Sequence, residues 1–173
     1  MSITTKGGDG GETDLWSGER VTKDDPRIEA CGETDELSSF LGFARLACRL
    51  PQTIATLEAL QRDLVRVGGE LASLDPPFDD PIRAEDEERL TAIVVELEES
   101  VHLKGFVLPG RTEASARIDL ARTASRRLER RVVSLGRSAT VSAELRAYLN
   151  RLSDCLFMLG RSEEAAEGKI EHA

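Results

Sequence analysis

Residues 121–133, ARTASRRLERRVV, decide how the rest of the chain can be arranged. Five of these thirteen residues are arginine, although the protein carries a formal net charge of −9. On a helix with about 100° between residues, Arg122, Arg126 and Arg130 fall within about 80° of one another, while apolar residues such as Leu128 share a different sector. The segment therefore predicts a helix with one face packed on a core and a cationic face that meets an anion.

The use of arginine narrows the kind of anion. Residues 111–137 contain eight arginines and three acidic residues, so neighbours in sequence cannot neutralise the cationic face. The rigid fork of arginine suits bidentate contacts to phosphate or carboxylate, whereas lysine would serve solubility equally well. Glu129 lies where it could pair with Arg126 or orient it. The pattern favours a polyphosphate ligand or an interface salt bridge; the alternative is a solvated helix with weak surface ion pairs.

Five amphipathic segments with helical spacing make up most of the chain. They are predicted at residues 28–50, 53–74, 83–101, 112–136 and 141–166. Pro51, the stretch DPPFDDP and the irregular stretch GFVLPG separate them, and Thr112 is placed to cap the fourth helix. Helices of similar length with short connections indicate an all-α five-helix bundle. The 173 residues are predicted to form one domain, residues 1–173, with the bundle at about 28–166.

Residues 1–25 are rich in glycine and have neither helical nor strand periodicity, which predicts a long ordered loop or a disordered tail. The stretch TKGGDGGETD offers hydroxyls and accessible backbone N–H groups, so it could cradle phosphates, although it lacks the spacing of the common phosphate loop. Lys6 and Lys23 bracket the glycines, and Thr13 could contact a phosphate oxygen or a magnesium-bound water. Asp14 opposes phosphate binding unless Mg²⁺ is present.

Three further residues are candidates for function, each with a structural alternative. Asp35, near the start of the first helix, could be a helix-end charge. Phe106, in GFVLPG, could wall a ligand or plug the core. Asn150 has apolar neighbours on its helix, so its amide must find partners in the protein or on a ligand. His102 and His172 are isolated from any nucleophile, so neither is assigned a catalytic role.

The composition limits the partners and the compartment. With 40% hydrophobic and 32% charged residues, the chain has the make-up of a soluble globular protein. An isoelectric point near 4.9 argues against general binding of nucleic acid or of an anionic membrane. Cys31, Cys48 and Cys155 are widely spaced without a metal-ligand pattern, so they are interpreted as buried, reduced thiols, and no protein metal site is predicted. The chain shows no apolar run long enough for a membrane span and no secretory pattern at its amino terminus, which predicts a cytoplasmic location.

Taken together, four blocks resemble the PduO-type corrinoid adenosyltransferases, that is, ATP:cob(I)alamin adenosyltransferases. The blocks are TKGGDGGETDLWSGERVTKDDPRIEACGETDELSSFLGFAR, FVLPG, ARTASRRLERRVV and YLNRLSDCLF, and they span nearly the whole chain. The resemblance implies a five-helix bundle assembled as a homotrimer, with ATP and cobalamin bound where neighbouring subunits meet. It also implies transfer of the 5′-deoxyadenosyl group of ATP to the cobalt of reduced cobalamin, leaving triphosphate.

The resemblance also implies roles for individual residues. ATP binding is implied for Thr5, Lys6, Gly7, Gly8, Thr13, Asp14, Lys23, Arg126, Arg127, Leu128, Glu129, Arg130 and Asn150. Asp35 and Arg122 match a charged pair across the subunit contact. Phe106 matches the aromatic residue that displaces the lower axial base of cobalamin, and it is expected to take part in catalysis together with Arg126 and Arg130.

Departures from the family pattern bear on nucleotide affinity. Gly7 and Gly10 stand where the family commonly has a hydroxyl and a lysine, Asp14 stands where it has a serine, and Arg111 stands where it has a small residue. Because the nucleophile belongs to the cobalamin and the leaving group is anionic, the implied chemistry needs electrostatic stabilisation, with Mg²⁺, rather than a proton-transfer residue. A reductase and an adenosylcobalamin-dependent enzyme are implied as possible partners. The competing class is a non-catalytic trimeric sensor or carrier of ATP and cobalamin.

Overall fold

The computed structural model describes residue 4 and residues 6–173. Within these residues it contains a short hairpin followed by five helices, which confirms the predicted all-α five-helix bundle. The strands are β1 (Glu12–Asp14) and β2 (Arg20–Thr22), and the helices are α1 (Pro26–Arg45), α2 (Pro51–Leu71), α3 (Ala84–Ser100), α4 (Glu113–Leu135) and α5 (Ala143–Ala166). None of the helices in this described part of the chain has the length and apolar character needed to cross a membrane.

Local sequence explains where the helices begin and end. The Asp25 carboxylate accepts a hydrogen bond from the backbone N–H of Arg27 at 2.7 Å and thereby caps α1. Thr112 caps α4, as predicted, by accepting a hydrogen bond from Ser115 N at 3.0 Å. Helix α1 ends at Arg45, earlier than the predicted residue 50, and the backbone N–H groups of Arg49 and Leu50 donate to the Glu163 carboxylate, each at 3.1 Å, in place of helical bonds.

Helix α4 lies between α1 and α5, and α3 and α2 flank α5 and α1 respectively. The apolar sector predicted for α4 is confirmed, since Ala121, Leu128, Val132 and Leu135 are all buried in the main core. With that sector packed inward, the opposite face of α4, which carries Arg126 and Arg130, remains exposed. The fold therefore supplies a rigid helix with a cationic outer surface.

Buried polar groups tie α2, α3 and α5 together around Asp63. The Tyr148 hydroxyl donates to Asp63 at 2.9 Å, and the Arg89 guanidinium lies 2.6 Å from the same carboxylate oxygen. Burial raises the pKa of Tyr148 well above its usual value, so the hydroxyl keeps its proton and remains a donor. This network belongs to the bundle and lies apart from the arginine face of α4.

The amino-terminal segment forms an antiparallel hairpin anchored on α2. Thr13 pairs with Val21 at the centre of the hairpin. At its base Leu15 is buried, and the backbone N–H of Trp16 donates to Ala72 O at 2.8 Å. Each strand has three residues and only a single half-buried position, which is too short for a period-two pattern to be recognised. The hairpin was therefore absent from the sequence-based prediction of a loop or tail.

Candidate functional site

The arginines of α4 fall into two groups according to their partners. Arg127 forms ion pairs with Glu33, at 2.6 Å, and with Glu36 of α1. The Arg131 guanidinium lies 3.5 Å from the carboxylate of Glu29, which also belongs to α1. These two guanidinium groups are directed towards α1, so they join the helices and leave little capacity for a ligand. The contact of Arg127 with a nucleotide stays a prediction, and a ligand would have to compete with these ion pairs.

Arg126 and Arg130 form the second group. Both are exposed, and neither has an acidic partner among the residues that the structure describes. They line a groove of about 370 Å³ together with Glu129, Val133, Ser134 and Arg137. Arg137, which was not singled out from the sequence, likewise has no ion pair within residues 6–173. Three guanidinium groups in one groove, with Glu129 as the acidic residue that lines it and no ion pair between them and the described residues, are suited to a polyanion.

Asn150 and Glu129 meet at the edge of this groove. The Asn150 amide donates to Glu129 Oε1 at 3.1 Å, so α5 contributes to the surface formed by α4. The amide thus has a protein partner, and the carboxylate of Glu129 is held beside the two free guanidinium groups. Leu128, by contrast, is fully buried in the core, so its side chain does not reach this surface, and its contact with a nucleotide stays a prediction.

A cleft between α3, α4 and α5 adjoins both the groove and the pocket at Phe106. Its volume is about 410 Å³, and its lining comprises Val94, Glu98, Arg122, Arg126, Arg151, Ser153, Asp154, Phe157 and Met158. Arg126 is shared with the groove, and Phe157 is shared with an adjoining pocket of about 320 Å³ formed by Gly105, Phe106 and Val107. Phe106 is 90% exposed, so the alternative that it plugs the core is wrong. The pocket of Phe106, the cleft and the groove of Arg130 are therefore neighbours on the surface.

Arg20 organises the glycine-rich hairpin. Its guanidinium bonds to Glu12 at 3.0 Å, to Asp14 at 2.9 Å and to the carbonyl of Gly7 at 2.7 Å. The hydrogen bonds that Arg20 donates to the Asp14 and Glu12 carboxylates raise the pKa of Arg20 above its usual value. The charge of Asp14, which seemed unfavourable for phosphate binding, is therefore compensated. Sequence reasoning missed Arg20 because its role depends on a hairpin register that was not predicted.

The Lys23 ammonium lies against Gly8. A Cβ atom built on Gly8 would come within 3.0 Å of Lys23 Nζ and 3.3 Å of the Glu12 carbonyl. Lys6 adopts a left-handed conformation with φ of 60° and is exposed. The hairpin thus brings most of the predicted phosphate-binding residues into one structure: Lys6, Gly7, Gly8, Thr13, Asp14 and Lys23. Thr5, which was predicted with them, lies outside the described residues.

The hairpin and the α4 groove are separate features of one chain. The residues that line the groove and the cleft include none from the hairpin. A further pocket of about 440 Å³ adjoins the groove, because Ser134 lines both. Its other lining residues are Asp24, which follows the hairpin, with Pro26, Glu29 and Arg131. Within one chain, the predicted ATP-binding residues therefore lie in two separate places, the hairpin and the α4 groove.

Asp35 and Arg122 do not pair within the chain. Asp35 is exposed in the middle of α1, and because Asp25 caps that helix, the alternative that Asp35 is a helix-end charge is wrong. Arg122 bonds to Asp119 at 3.1 Å, and Asp119 also accepts from the buried Arg161 at 2.7 Å. Asp35 thus has no counter-charge in the described part of its own chain, while Arg122 is held by a neighbouring carboxylate.

The three cysteines are free thiols. Cys155 is buried, and Cys31 and Cys48 are only half-buried, which differs slightly from the prediction that all three are buried. Burial raises the pKa of Cys31 to about 11 and the pKa values of Cys48 and Cys155 to about 12. They stay protonated at neutral pH and are poor nucleophiles.

The chain is similar to known proteins in sequence and in structure. Residues 3–163 match the family model described as cobalamin adenosyltransferase. The chain is 40% identical over 168 residues to the corrinoid adenosyltransferase PduO of Citrobacter freundii, covering 95% of this chain and 50% of that protein. It is 42% identical over 166 residues to another corrinoid adenosyltransferase of Citrobacter freundii, covering 94% of each chain.

Solved structures give the same result. A variant PduO-type ATP:corrinoid adenosyltransferase from Lactobacillus reuteri, complexed with cobalamin and ATP, has a TM-score of 0.91 and 29% identity to this chain. The alignment covers 99% of this chain and 98% of that one. The chain spans about half the length of the PduO relative, so its match to that protein is confined to one part of it.

Proposed function

Because the chain belongs to the cobalamin adenosyltransferase family, we propose that it transfers the 5′-deoxyadenosyl group of ATP to the cobalt of cob(I)alamin, giving adenosylcobalamin and triphosphate. The observation that carries this proposal is a set of three adjoining pockets, in which the cleft shares Phe157 with the pocket of the exposed Phe106 and shares the unpaired Arg126 with the groove of Arg130. An apolar wall at one end suits the corrin, and a cationic groove at the other suits a polyphosphate.

The proposed reaction is an in-line displacement. The electron pair of cobalt(I) attacks the ribose C5′ atom, a cobalt–carbon bond forms, and the C5′–oxygen bond breaks. Triphosphate leaves with the electron pair of that bond, so negative charge builds up on the leaving group. Arg126 and Arg130 stabilise this charge, and no protein group needs to accept or donate a proton. The protein otherwise positions the two substrates and excludes water.

Neighbouring residues of α4 and α5 keep Arg126 and Arg130 in place. Arg127 and Arg131 hold α4 on α1 through their ion pairs, which fixes the direction in which Arg126 and Arg130 project. Glu129, bonded to Asn150, provides a carboxylate next to Arg126 and Arg130. Asn150 also borders the nucleotide and can exchange its bond to Glu129 for one to ATP.

We assign the hairpin residues Lys6, Gly7, Gly8, Thr13 and Lys23, with Thr5, to the phosphates of ATP. Because the hairpin does not line the groove of its own chain, the site is completed by the hairpin of a neighbouring subunit in a homotrimer. The unpaired Asp35 supports this assembly, since it is free to approach Arg122 of an adjacent copy. Asp14 acts indirectly through Arg20, which holds the turn.

Mg²⁺ is proposed to enter with the nucleotide. Within the described residues no group of three His, Cys, Asp or Glu side chains is placed to hold a metal ion. The carboxylates of Glu12 and Asp14 are engaged by Arg20. Phosphate oxygens and water are therefore the expected ligands, as is common for Mg²⁺. When bound, the ion would add positive charge beside the triphosphate.

When the reaction starts from cob(II)alamin, it also requires one electron. We propose that a reductase supplies this electron. We place the enzyme in the cytoplasm, where free thiols such as those of Cys31, Cys48 and Cys155 persist. An adenosylcobalamin-dependent enzyme would accept the product.

The function is tested by mixing the protein with Mg·ATP and chemically reduced cob(I)alamin. We expect adenosylcobalamin and triphosphate to appear in equal amounts. Tight binding of both ligands with no release of triphosphate would contradict the enzyme assignment and favour the sensor or carrier.

Gly8→Ala is expected to raise the KM for ATP by about tenfold, with a smaller effect on kcat. The added methyl group would push the Lys23 ammonium away from the phosphates, so that one charge-assisted hydrogen bond to ATP is lost. Steady-state kinetics at saturating cob(I)alamin measure both constants. Gly10→Ala is the matched control, since a Cβ at Gly10 meets nothing within 4 Å. An unchanged KM in Gly8→Ala would remove Lys23 from the phosphate site.

Asp35→Asn is expected to reduce the free energy of trimer association by about 2–3 kcal/mol for each subunit contact. The loss should be smaller than for a fully buried ion pair, because Arg122 keeps Asp119 as a partner. Sedimentation at decreasing protein concentration measures the effect, and cobalamin turnover should fall in parallel. The double variant with Arg122→Ala should lose less than the sum of the single variants.

Glu85→Gln, an equal change of charge at an exposed position of α3, serves as the control. A fully trimeric and active Asp35→Asn protein, or strictly additive losses in the cycle, would show that Asp35 and Arg122 do not meet.

A further inference from the structure

The segment of residues 171–173 lies alongside the segment that carries Phe106. Val107 and His172 form an isolated antiparallel bridge. On either side of it, the backbone N–H of Leu108 donates to Glu171 O at 2.9 Å, and the N–H of Ala173 donates to Phe106 O at 2.9 Å. The chain therefore returns after α5 and supplies main-chain partners to an irregular stretch.

Two side chains of the same segment strengthen this attachment. His172 Nε2 accepts a hydrogen bond from the backbone N–H of Lys104 at 3.0 Å. The Glu171 carboxylate lies 2.6 Å from the guanidinium of Arg111. Arg111 is one of the residues at which the sequence departs from the family pattern, and this ion pair gives it a structural role. The two side chains thus hold the stretch of residues 104–111 at both ends.

Phe106 needs such support because little else holds it. Its side chain is 90% exposed, and the preceding Gly105 has a φ of 149°, which glycine adopts more readily than other residues. The backbone carbonyl of Phe106 accepts a hydrogen bond from the N–H of Ala173 at 2.9 Å. Residues 171–173 therefore supply main-chain support to a ring that is not packed in the core.

We propose that Glu171 and His172 are positioning residues for Phe106, and that they thereby set how completely bound cob(II)alamin loses its lower axial base. This inference rests on the proposed function and deepens it. Both residues lie beyond residue 163, where the match to the family model ends. They act through the backbone of residues 104–111 and need not touch either substrate.

The inference is tested with the full chain carrying Glu171→Ala, His172→Ala or both, saturated with Mg·ATP and mixed with cob(II)alamin. Absorption and electron paramagnetic resonance spectra report the fraction of bound cob(II)alamin that has lost its axial base. We expect each single change to lower the ratio of base-free to base-bound cobalamin about two- to tenfold, the range for one hydrogen bond or ion pair. The affinity for ATP should stay unchanged.

His172→Gln provides the rescue variant, because the glutamine Oε1 atom can accept the bond from Lys104 in place of the imidazole nitrogen. It should recover most of the base-free fraction. His102→Ala is the matched control, since it removes the other, exposed histidine of the chain and should behave like the unaltered protein. Thermal unfolding of each variant confirms that the bundle stays folded.

An unaltered base-free fraction in the double Glu171→Ala/His172→Ala variant would overturn the inference. So would a loss in which ATP affinity and thermal stability fall together with the spectrum, because that pattern indicates a general structural role. A failure of the proposed function looks different: the unaltered protein itself would then make no adenosylcobalamin from ATP and chemically reduced cob(I)alamin.

Discussion

Arg126→Ala is expected to lower kcat by about 10²–10³-fold, the cost of removing one preorganised donor from a developing anion. Arg126 is the residue shared by the cationic groove and the cleft that leads to Phe106, so it lies where the two proposed substrates meet. It forms no ion pair with the described residues, and its loss therefore strands no internal partner. The bundle should keep its stability while the chemical step slows.

Single-turnover measurements with saturating ATP and pre-formed cob(I)alamin isolate this effect. Arg126→Lys should restore only part of the rate, because lysine keeps the charge and loses the planar fork. Arg62→Ala is the control, since Arg62 is an exposed arginine of α2 whose partner is the neighbouring Glu58. Full activity in Arg126→Ala would show that the groove does not hold the leaving group.

The helices could be predicted from the sequence because each has a long periodic apolar pattern. The face of α4 that packs and the face that stays exposed both follow from residues 121–133 alone, and Leu128 and Arg126 occupy them as expected. Spacing on one helix is a local property, so no tertiary information is needed. The capping role of Thr112 was predictable for the same reason.

Residues whose partners lie far away in sequence could not be predicted in this way. Arg127 and Arg126 are adjacent and chemically identical, yet Arg127 meets Glu33 and Arg126 meets no carboxylate of the described chain. The difference depends on where α1 lies, which periodicity does not specify. Arg20 was missed because its three partners gather only when the hairpin forms.

The identification of Phe106 shows what a resemblance can and cannot supply. The motif gave the residue, but composition left open whether the ring fills the core or faces a ligand. Its exposure excludes a place in the core, and Phe157 lines both its pocket and the cleft that includes Arg126, while the contact with a ligand stays a prediction. The support from Glu171 and His172 was not visible in the sequence, because the bridge joins segments more than sixty residues apart.

Phe106→Ala is expected to lower adenosylation by about tenfold or more when the substrate is cob(II)alamin with a weak reductant, since each loss of about 1.4 kcal/mol corresponds to a factor of ten. The exposed ring is proposed to occupy the space of the lower axial base and to keep water from replacing it. Removing that donor leaves cobalt(II) with fewer ligands, which makes its reduction easier. Alanine leaves the space open to the base or to water.

The comparison of two substrates within one variant separates this role from a general one. With chemically pre-formed cob(I)alamin the loss should be much smaller, because the task of Phe106 precedes the transfer of the adenosyl group. ATP affinity should be unchanged, since the pocket of Phe106 and the groove of Arg130 have no lining residue in common. Phe106→Trp, which keeps an apolar ring, should retain more activity than alanine with cob(II)alamin. If both substrates lose activity equally, the ring only shapes the pocket for alkyl transfer, and the proposed exclusion of the axial base is wrong.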